Sequence, residues 1–221
     1  MRLSPAEAET TRMDPVQKLR EAITSGVFTP NERLIEHQLV DFLATNRTKV
    51  RTTLARLEQE GLVVIEPNRG ARVRLVSDVE ALEITQARGV LEGLVARQAA
   101  ENINDDGRSS LRNIIGEMEA LLDGGDVLGY SAGASRLHAE IQRLSGHTTA
   151  TRLLENLDSQ IIRFQYRTVL MTGRAAKALQ EHKEIVEVIC SGDGEKAEQI
   201  MRAHLEGVQL ALKTTIEKTR S

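Results

Sequence analysis

Asn46-Arg47-Thr48-Lys49-Val50-Arg51-Thr52-Thr53-Leu54-Ala55-Arg56-Leu57-Glu58 decides how this chain is read. Val50, Leu54 and Leu57 recur at spacings of four and three, so a helix would bury them on one face. Arg47, Lys49, Arg51 and Thr52 lie mostly off that stripe and crowd the first turns. Asn46 stands where a side-chain oxygen can cap the helix. A helix with a cationic, hydrogen-bonding N-terminal half fits the major groove of DNA. There Arg grips guanine edges, while Thr and Lys hold phosphates.

The flanking residues sharpen this reading. Gly61 ends the helix; Leu62-Val63-Val64-Ile65 and Ala71-Arg72-Val73-Arg74-Leu75 then read as two strands. Glu66-Pro67-Asn68-Arg69-Gly70 between them is a loop of hairpin length. Upstream, Asp14 can cap a helix with Pro15 at its first position, running through Val16, Leu19 and Ile23 to Gly26. Thr29-Pro30-Asn31-Glu32 is a turn, and Glu36 to Leu43 is a second helix with Leu39, Val40 and Leu43 inward. Helix, turn, helix and hairpin make a winged helix-turn-helix. From Ala44 to Arg74 there are seven Arg or Lys against three Glu, in a chain of net charge −3. A solvated helix beside a surface hairpin could carry such charges too, but a basic hairpin at this distance favours DNA.

These residues resemble the DNA-binding domain of GntR-family bacterial transcription regulators. The resemblance rests on Gly26, Phe28, Pro30, Arg33, Leu34 and Glu36, then Arg47 to Leu62, then Pro67, Gly70 and Val73. It implies double-stranded DNA as partner, with contacts from Arg33, Arg47, Thr48, Lys49, Arg51 and Thr52, and from Arg69 and Gly70 at the wing. His37 stands where the family places a polar residue on the DNA backbone; the other reading is an exposed surface histidine. Two departures stand out. Asn31 replaces the usual Gly, tolerable because Asn accepts left-handed backbone. Lys49 stands where Pro is frequent and adds a charge at the DNA surface.

Composition agrees with a mostly α chain. Only 2% of residues are aromatic against 40% hydrophobic, so the core must be Leu, Ile, Val and Ala. The single cysteine, Cys190, excludes an intrachain disulfide and sits in an apolar run, as a buried small hydrophobe would. Nothing resembles a signal peptide or membrane span, so a cytoplasmic protein is expected. Residues 1–76 hold 12 basic and 10 acidic residues, whereas the rest hold 17 and 22. A basic module on an acidic one suits a protein that touches DNA at one end. The expected division is a mobile tail over 1–13, a winged helix-turn-helix over 14–76 and a helical effector and dimerisation domain over 77–221.

After Pro67 the chain has no proline and no β-like alternation. Six helices are expected, at roughly 78–103, 105–123, 126–145, 148–171, 174–191 and 193–219, joined by short breaks. They should pack as an antiparallel bundle of six to seven helices. His147 is assigned to capping after Ser145-Gly146.

Four stretches here resemble the FCD ligand-binding domain of the FadR-like branch of the same family. They are Gln86 to Gly93; Arg136-Leu137-His138-Ala139 with Ser145-Gly146; Glu181 to Ile185 with Ser191-Gly192-Asp193; and Met201 to Leu205. The resemblance implies that His138, His182 and His204 ligate a divalent metal. It also implies that Arg88 pairs with a small carboxylic-acid effector. The class usually has Asp four residues before the first His; here that residue is Ala134. Three imidazoles without it suit zinc or nickel better than a hard ion such as manganese. On the fourth helix of the bundle Leu153, Leu157, Ile161 and Phe164 form an apolar stripe. Asn156, Gln160, Arg163 and Arg167 form a polar one, either a solvated face or pocket lining, and Arg163 is the candidate pocket member.

The expected function is that of a ligand-responsive repressor, not an enzyme, binding a short pseudo-palindromic operator as a homodimer. Two rivals remain. A metalloenzyme could use the winged helix for docking, with Glu140 or Glu181 as base. A regulator could instead sense the metal directly.

Overall fold

The computed structural model describes residues 13–67 and 69–220; the tail expected over residues 1–13 lies almost wholly outside them. The chain divides into two compact units, Met1–Val76 and Ser77–Ser221.

Unit one contains α1 (Pro15–Thr24), β1 (Arg33–Leu34), α2 (Glu36–Leu43), α3 (Arg47–Gln59), β2 (Val63–Glu66) and β3 (Gly70–Val73). Asp14 accepts from Val16 N at 3.2 Å ahead of Pro15, so α1 starts where the sequence places it. Asn46 Oδ1 accepts from Lys49 N at 2.9 Å and fixes the start of α3. Between α2 and α3 the chain turns through Ala44, which is left-handed at φ 50°. Asn31 also takes a left-handed backbone, at φ 65°. The core joins Leu19, Leu39, Val50, Leu57, Leu62 and Val73.

The sheet has one strand more than expected. Its order is β1-β3-β2, with Arg33 opposite Arg72 and Val63 opposite Val73. A two-residue strand is too short to show an alternating pattern, so β1 is invisible to periodicity. Its effect is to make β3 the central strand, hydrogen-bonded on both sides.

Unit two is all helical: α4 (Asp78–Glu101), α5 (Asp105–Asp123), α6 (Val127–Ser145), α7 (Thr148–Val169), α8 (Arg174–Ser191) and α9 (Gly194–Arg220). Ser77, Asn104 and Asp126 each cap a helix by accepting from the backbone three residues on. His147 accepts from Ala150 N at 3.3 Å, capping the first turn of α7. α4 lies close along α9 through its glycines: an added Cβ at Gly89 would lie 3.5 Å from Leu205 Cβ, and one at Gly93 2.9 Å from Arg202 Cγ. Leu111, Met118, Tyr130, Leu137, Ile141 and Ile189 form much of the core, with Cys190 buried among such residues.

α7 is rotated from the expected stripe. Its buried residues among the described side chains are Ala150, Leu154, Ile161 and Thr168, while Leu153 is 46% exposed. Leu154, Ile161 and Thr168 are seven apart, two turns each, and this rotation carries Asp158 inward. Periodicity allowed either face; contact with α4 and α9 selects one.

Helices α5 and α6 meet at Gly133, where an added Cβ would lie 2.6 Å from Met118 Cγ. Met118 is fully buried, and the atom in the way is its Cγ, near the backbone and not at the flexible end of the side chain. Gly133→Ala should therefore destabilise the helical unit by about 1–3 kcal/mol of overpacking, partly offset by about 1 kcal/mol of helix propensity. A urea midpoint at or above the wild-type value would contradict this packing.

Candidate metal centre and nucleic-acid interface

Arg47, Thr48, Lys49, Arg51 and Thr52 all emerge exposed on the first half of α3, because Val50, Thr53, Leu54 and Leu57 take the buried side. Arg51 Nε lies 2.8 Å from Glu36 Oε1 on α2, and Lys49 Nζ lies 3.7 Å from Asp14 Oδ1. His37 is exposed on α2. Arg33 is exposed on β1 and donates to the Arg69 carbonyl at 2.8 Å, so the wing tip is tied to the strand beside it. Gly70 opens β3 at φ +83°, a backbone only glycine adopts freely. Sequence reasoning counted Arg72 only within the basic excess of the wing; it donates to Glu66 Oε2 and Asn31 Oδ1 at 3.0 Å each and braces the hairpin.

In the helical unit His138 of α6, His182 of α8 and His204 of α9 converge. One ring nitrogen from each lies within 4.8 Å of the others. The ring centroids are 5.5 Å apart for His138 and His182, 5.7 Å for His138 and His204, and 4.6 Å for His182 and His204. Each ring has one nitrogen engaged by an oxygen. His182 Nδ1 is 3.1 Å from the Tyr130 hydroxyl, and His204 Nδ1 is 2.7 Å from Glu181 Oε2. His138 Nδ1 contacts Glu92 Oε2. With Nδ1 so engaged, Nε2 is the nitrogen each ring leaves available.

His182 Nε2 is buried with no hydrogen-bond partner. An orphaned buried polar atom costs about 1–3 kcal/mol, so this nitrogen calls for a ligand. Burial lowers the His182 pKa, and the neighbouring His204 and His138 lower it further. Burial also lowers that of His204, against the opposing pull of Glu181. Neutral imidazoles are the metal-binding form. Zinc–nitrogen bonds of about 2.0–2.1 Å put tetrahedral ligands roughly 3.4 Å apart, so small ring rotations would close the set on an ion. The three residues fit a divalent metal.

Behind this set lies a buried ion network. Arg88 is 5% exposed; its Nη2 donates to Glu92 Oε1 at 2.6 Å and its Nε lies 2.6 Å from Asp158 Oδ1. Burial pushes the Glu92 carboxyl up, but Arg88 and then His138 outweigh it and hold it at about 2. Burial raises Asp158, and Arg88 only partly offsets this. The Arg88 guanidinium is thus engaged by the chain's own carboxylates. Glu181 also receives Arg174, at 3.0 Å. On α7 Gln160 donates to Asn156 at 2.6 Å, whereas the Arg163 side chain lies outside the described residues.

Sequence reasoning missed Tyr130 and Asp158, saw Glu92 only inside a motif, and considered Glu181 only as the base of the enzyme alternative. Tyr130, Ala134 and His138 are spaced by four and so share one face of α6, a signal that could have found the tyrosine. Arg88 and Glu92 stand at the same helical spacing. Nothing local marks Asp158.

Residues 15–73 match the bacterial regulatory proteins of the gntR family, and residues 83–207 match the FCD domain. The chain belongs to the GntR family. It is a DNA-binding transcription regulator of the FCD class, so the metalloenzyme reading falls. FCD domains are often metal-associated, in keeping with the histidine cluster.

An HTH-type transcriptional regulator in an unstable DNA locus of Streptomyces ambofaciens is 26% identical over 212 residues, covering 93% of this chain and 86% of that one. The HTH-type transcriptional repressor RspR of Escherichia coli is 22% identical, covering 90% of each. A probable D-xylose utilization operon transcriptional repressor of Paenarthrobacter nicotinovorans is 25% identical over 174 residues, covering 77% of this chain and 74% of its own. Among solved structures, McbR/YncC of E. coli aligns with a TM-score of 0.77 at 18% identity, covering 93% of this chain and 97% of that one. A putative GntR transcriptional regulator from Rhodococcus aligns with a TM-score of 0.70 at 22% identity, covering 94% and 98%. These likenesses show a mostly α fold, a winged helix-turn-helix followed by a helical domain. Among the described residues no helix of this GntR-family chain is long and apolar enough to cross a membrane.

Proposed function

We propose that this GntR-family chain is a cytoplasmic repressor that binds a pseudo-palindromic operator as a homodimer. Residues 14–76 contact DNA in this reading, and residues 77–221 carry dimerisation and the response to effector. Arg47, Thr48, Lys49, Arg51 and Thr52 enter the major groove; Arg33 and His37 touch the backbone; Arg69 and Gly70 act at the wing. Repression is supported by relatives named as repressors.

His138, His182 and His204 hold a divalent ion, zinc or nickel, through Nε2. The observation that carries this is the buried, unpartnered His182 Nε2 beside two further imidazoles. A bound ion of this kind supplies open coordination positions for a small carboxylic acid. The acid reaches Arg88 only by exchange with Asp158, and Arg163 is a further candidate contact. Response follows if the acid binds two states of the helical unit unequally, since equal binding shifts nothing.

The test is metal content by mass spectrometry on untagged wild type and His138→Ala, then operator binding with and without acids. We expect about one zinc or nickel per wild-type chain, as such three-histidine sites hold, and its loss in the variant. Operator affinity should fall when an acid that coordinates the ion is added. Affinity that stays constant with every metal and acid would sink the effector reading and leave DNA binding standing. A change on adding metal alone would make the metal itself the signal.

A further inference from the structure

The set of three histidines is all neutral nitrogen. Ala134, on the same α6 face as His138, offers a methyl and no donor. A divalent ion held by three neutral imidazoles keeps its full charge inside the bundle, where uncompensated charge is costly. Before an acid fills the open positions, the chain's own compensation has to come from beyond the three histidines.

Two carboxylates are placed to give it. Glu92, 1% exposed, shares itself between two partners: Oε1 accepts from Arg88 and Oε2 contacts His138 Nδ1. Glu181 turns Oε2 to His204 Nδ1 at 2.7 Å, and Arg174 Nη1 donates to the same oxygen at 3.0 Å. His182 differs, its Nδ1 meeting a phenol that burial keeps protonated. Neither glutamate oxygen joins the cluster formed by the three histidines. A carboxylate accepting the Nδ1 proton fixes the ring's tautomer and makes Nε2 a better donor.

We propose that the negative charge of this metal centre resides on Glu92 and Glu181, which act on the ion only through His138 and His204. The inference rests on the metal reading above. It makes both glutamates positioning residues, and it gives a site with Ala134 in place of a ligating carboxylate the negative charge that its three ligands lack. Arg88 and Arg174 act one step further out by holding each carboxylate against its imidazole.

The test uses the full chain. Zinc affinity is measured by competition with a chromophoric chelator, and the visible spectrum of the cobalt(II) form reports coordination number and donor set. Glu92→Gln and Glu181→Gln keep an acceptor but lose the charge. Each should weaken zinc by about 10- to 100-fold and leave the cobalt spectrum that of the wild type. Affinity within about twofold of wild type in both variants would overturn the proposal by the same measure. A cobalt spectrum showing one ligand fewer would also overturn it, because the carboxylate would then be bound directly. If Glu92→Gln fails to fold, Glu181→Gln on the more exposed carboxylate decides alone. Failure of the metal reading itself would be seen elsewhere: wild type and His138→Ala would bind zinc equally weakly.

Discussion

Arg88→Leu should cost the helical unit about 3–5 kcal/mol. The reason is what the substitution leaves behind. Glu92 and Asp158 both lean on one guanidinium that is 5% exposed; leucine would take that cation from Asp158 and leave Glu92 with only its His138 contact. The urea midpoint at neutral pH should fall accordingly. Adding Asp158→Asn in the same background should recover part of the loss, because one uncompensated charge is removed. A midpoint close to wild type for Arg88→Leu would mean that the network is solvated and carries no such weight.

At the other end of the chain, Arg47→Ala should weaken operator binding by roughly ten- to hundredfold and relax preference at one base position. Lys49→Ala should weaken binding to all sequences alike and reduce the salt slope by about one counterion. Both side chains are exposed on α3, so neither change should disturb the winged-helix fold. Titrations at several salt concentrations separate the two roles. Equal effects on operator and random DNA from Arg47→Ala would remove it from base reading and leave it a phosphate contact.

What the sequence disclosed and what it withheld follow from the range of each interaction. The cap at Asn46, the proline start of α1 and the buried stripe of α3 are local, set by residues three or four apart, and were readable as such. Strand β1 escaped because two residues carry no period, although they tie the wing to the helix pair. The three histidines were reached through short motifs in order, since 44 residues separate His138 from His182 and no local rule joins them. Their oxygen partners were harder still. Glu92 and Glu181 were visible as charges, but which imidazole each serves depends on how four helices pack. Asp158 was hidden by the reading of α7 that turned Leu153 inward; a small rotation of that helix reverses which residues meet Arg88.

The contacts around the histidines also bear on how the bundle loosens. α6, α8 and α9 supply the imidazoles, α4 supplies Glu92 and Arg88, and α7 is fastened through Asp158. α5 contributes nothing to this network among the described residues. Fluctuations that part any of the five must break charged contacts in a dry interior, whereas α5 is held by apolar packing and by more exposed polar contacts: Lys183 with Glu119, Arg136 with Glu117, Arg112 with Glu187, and Arg108 Nε donating to the Cys190 carbonyl. Amide protons on the five helices should therefore exchange together, as one cooperative block, with α5 exchanging earlier. Occupancy at the centre would then be felt as slower opening across five-sixths of the bundle's helices, with no change in its average shape.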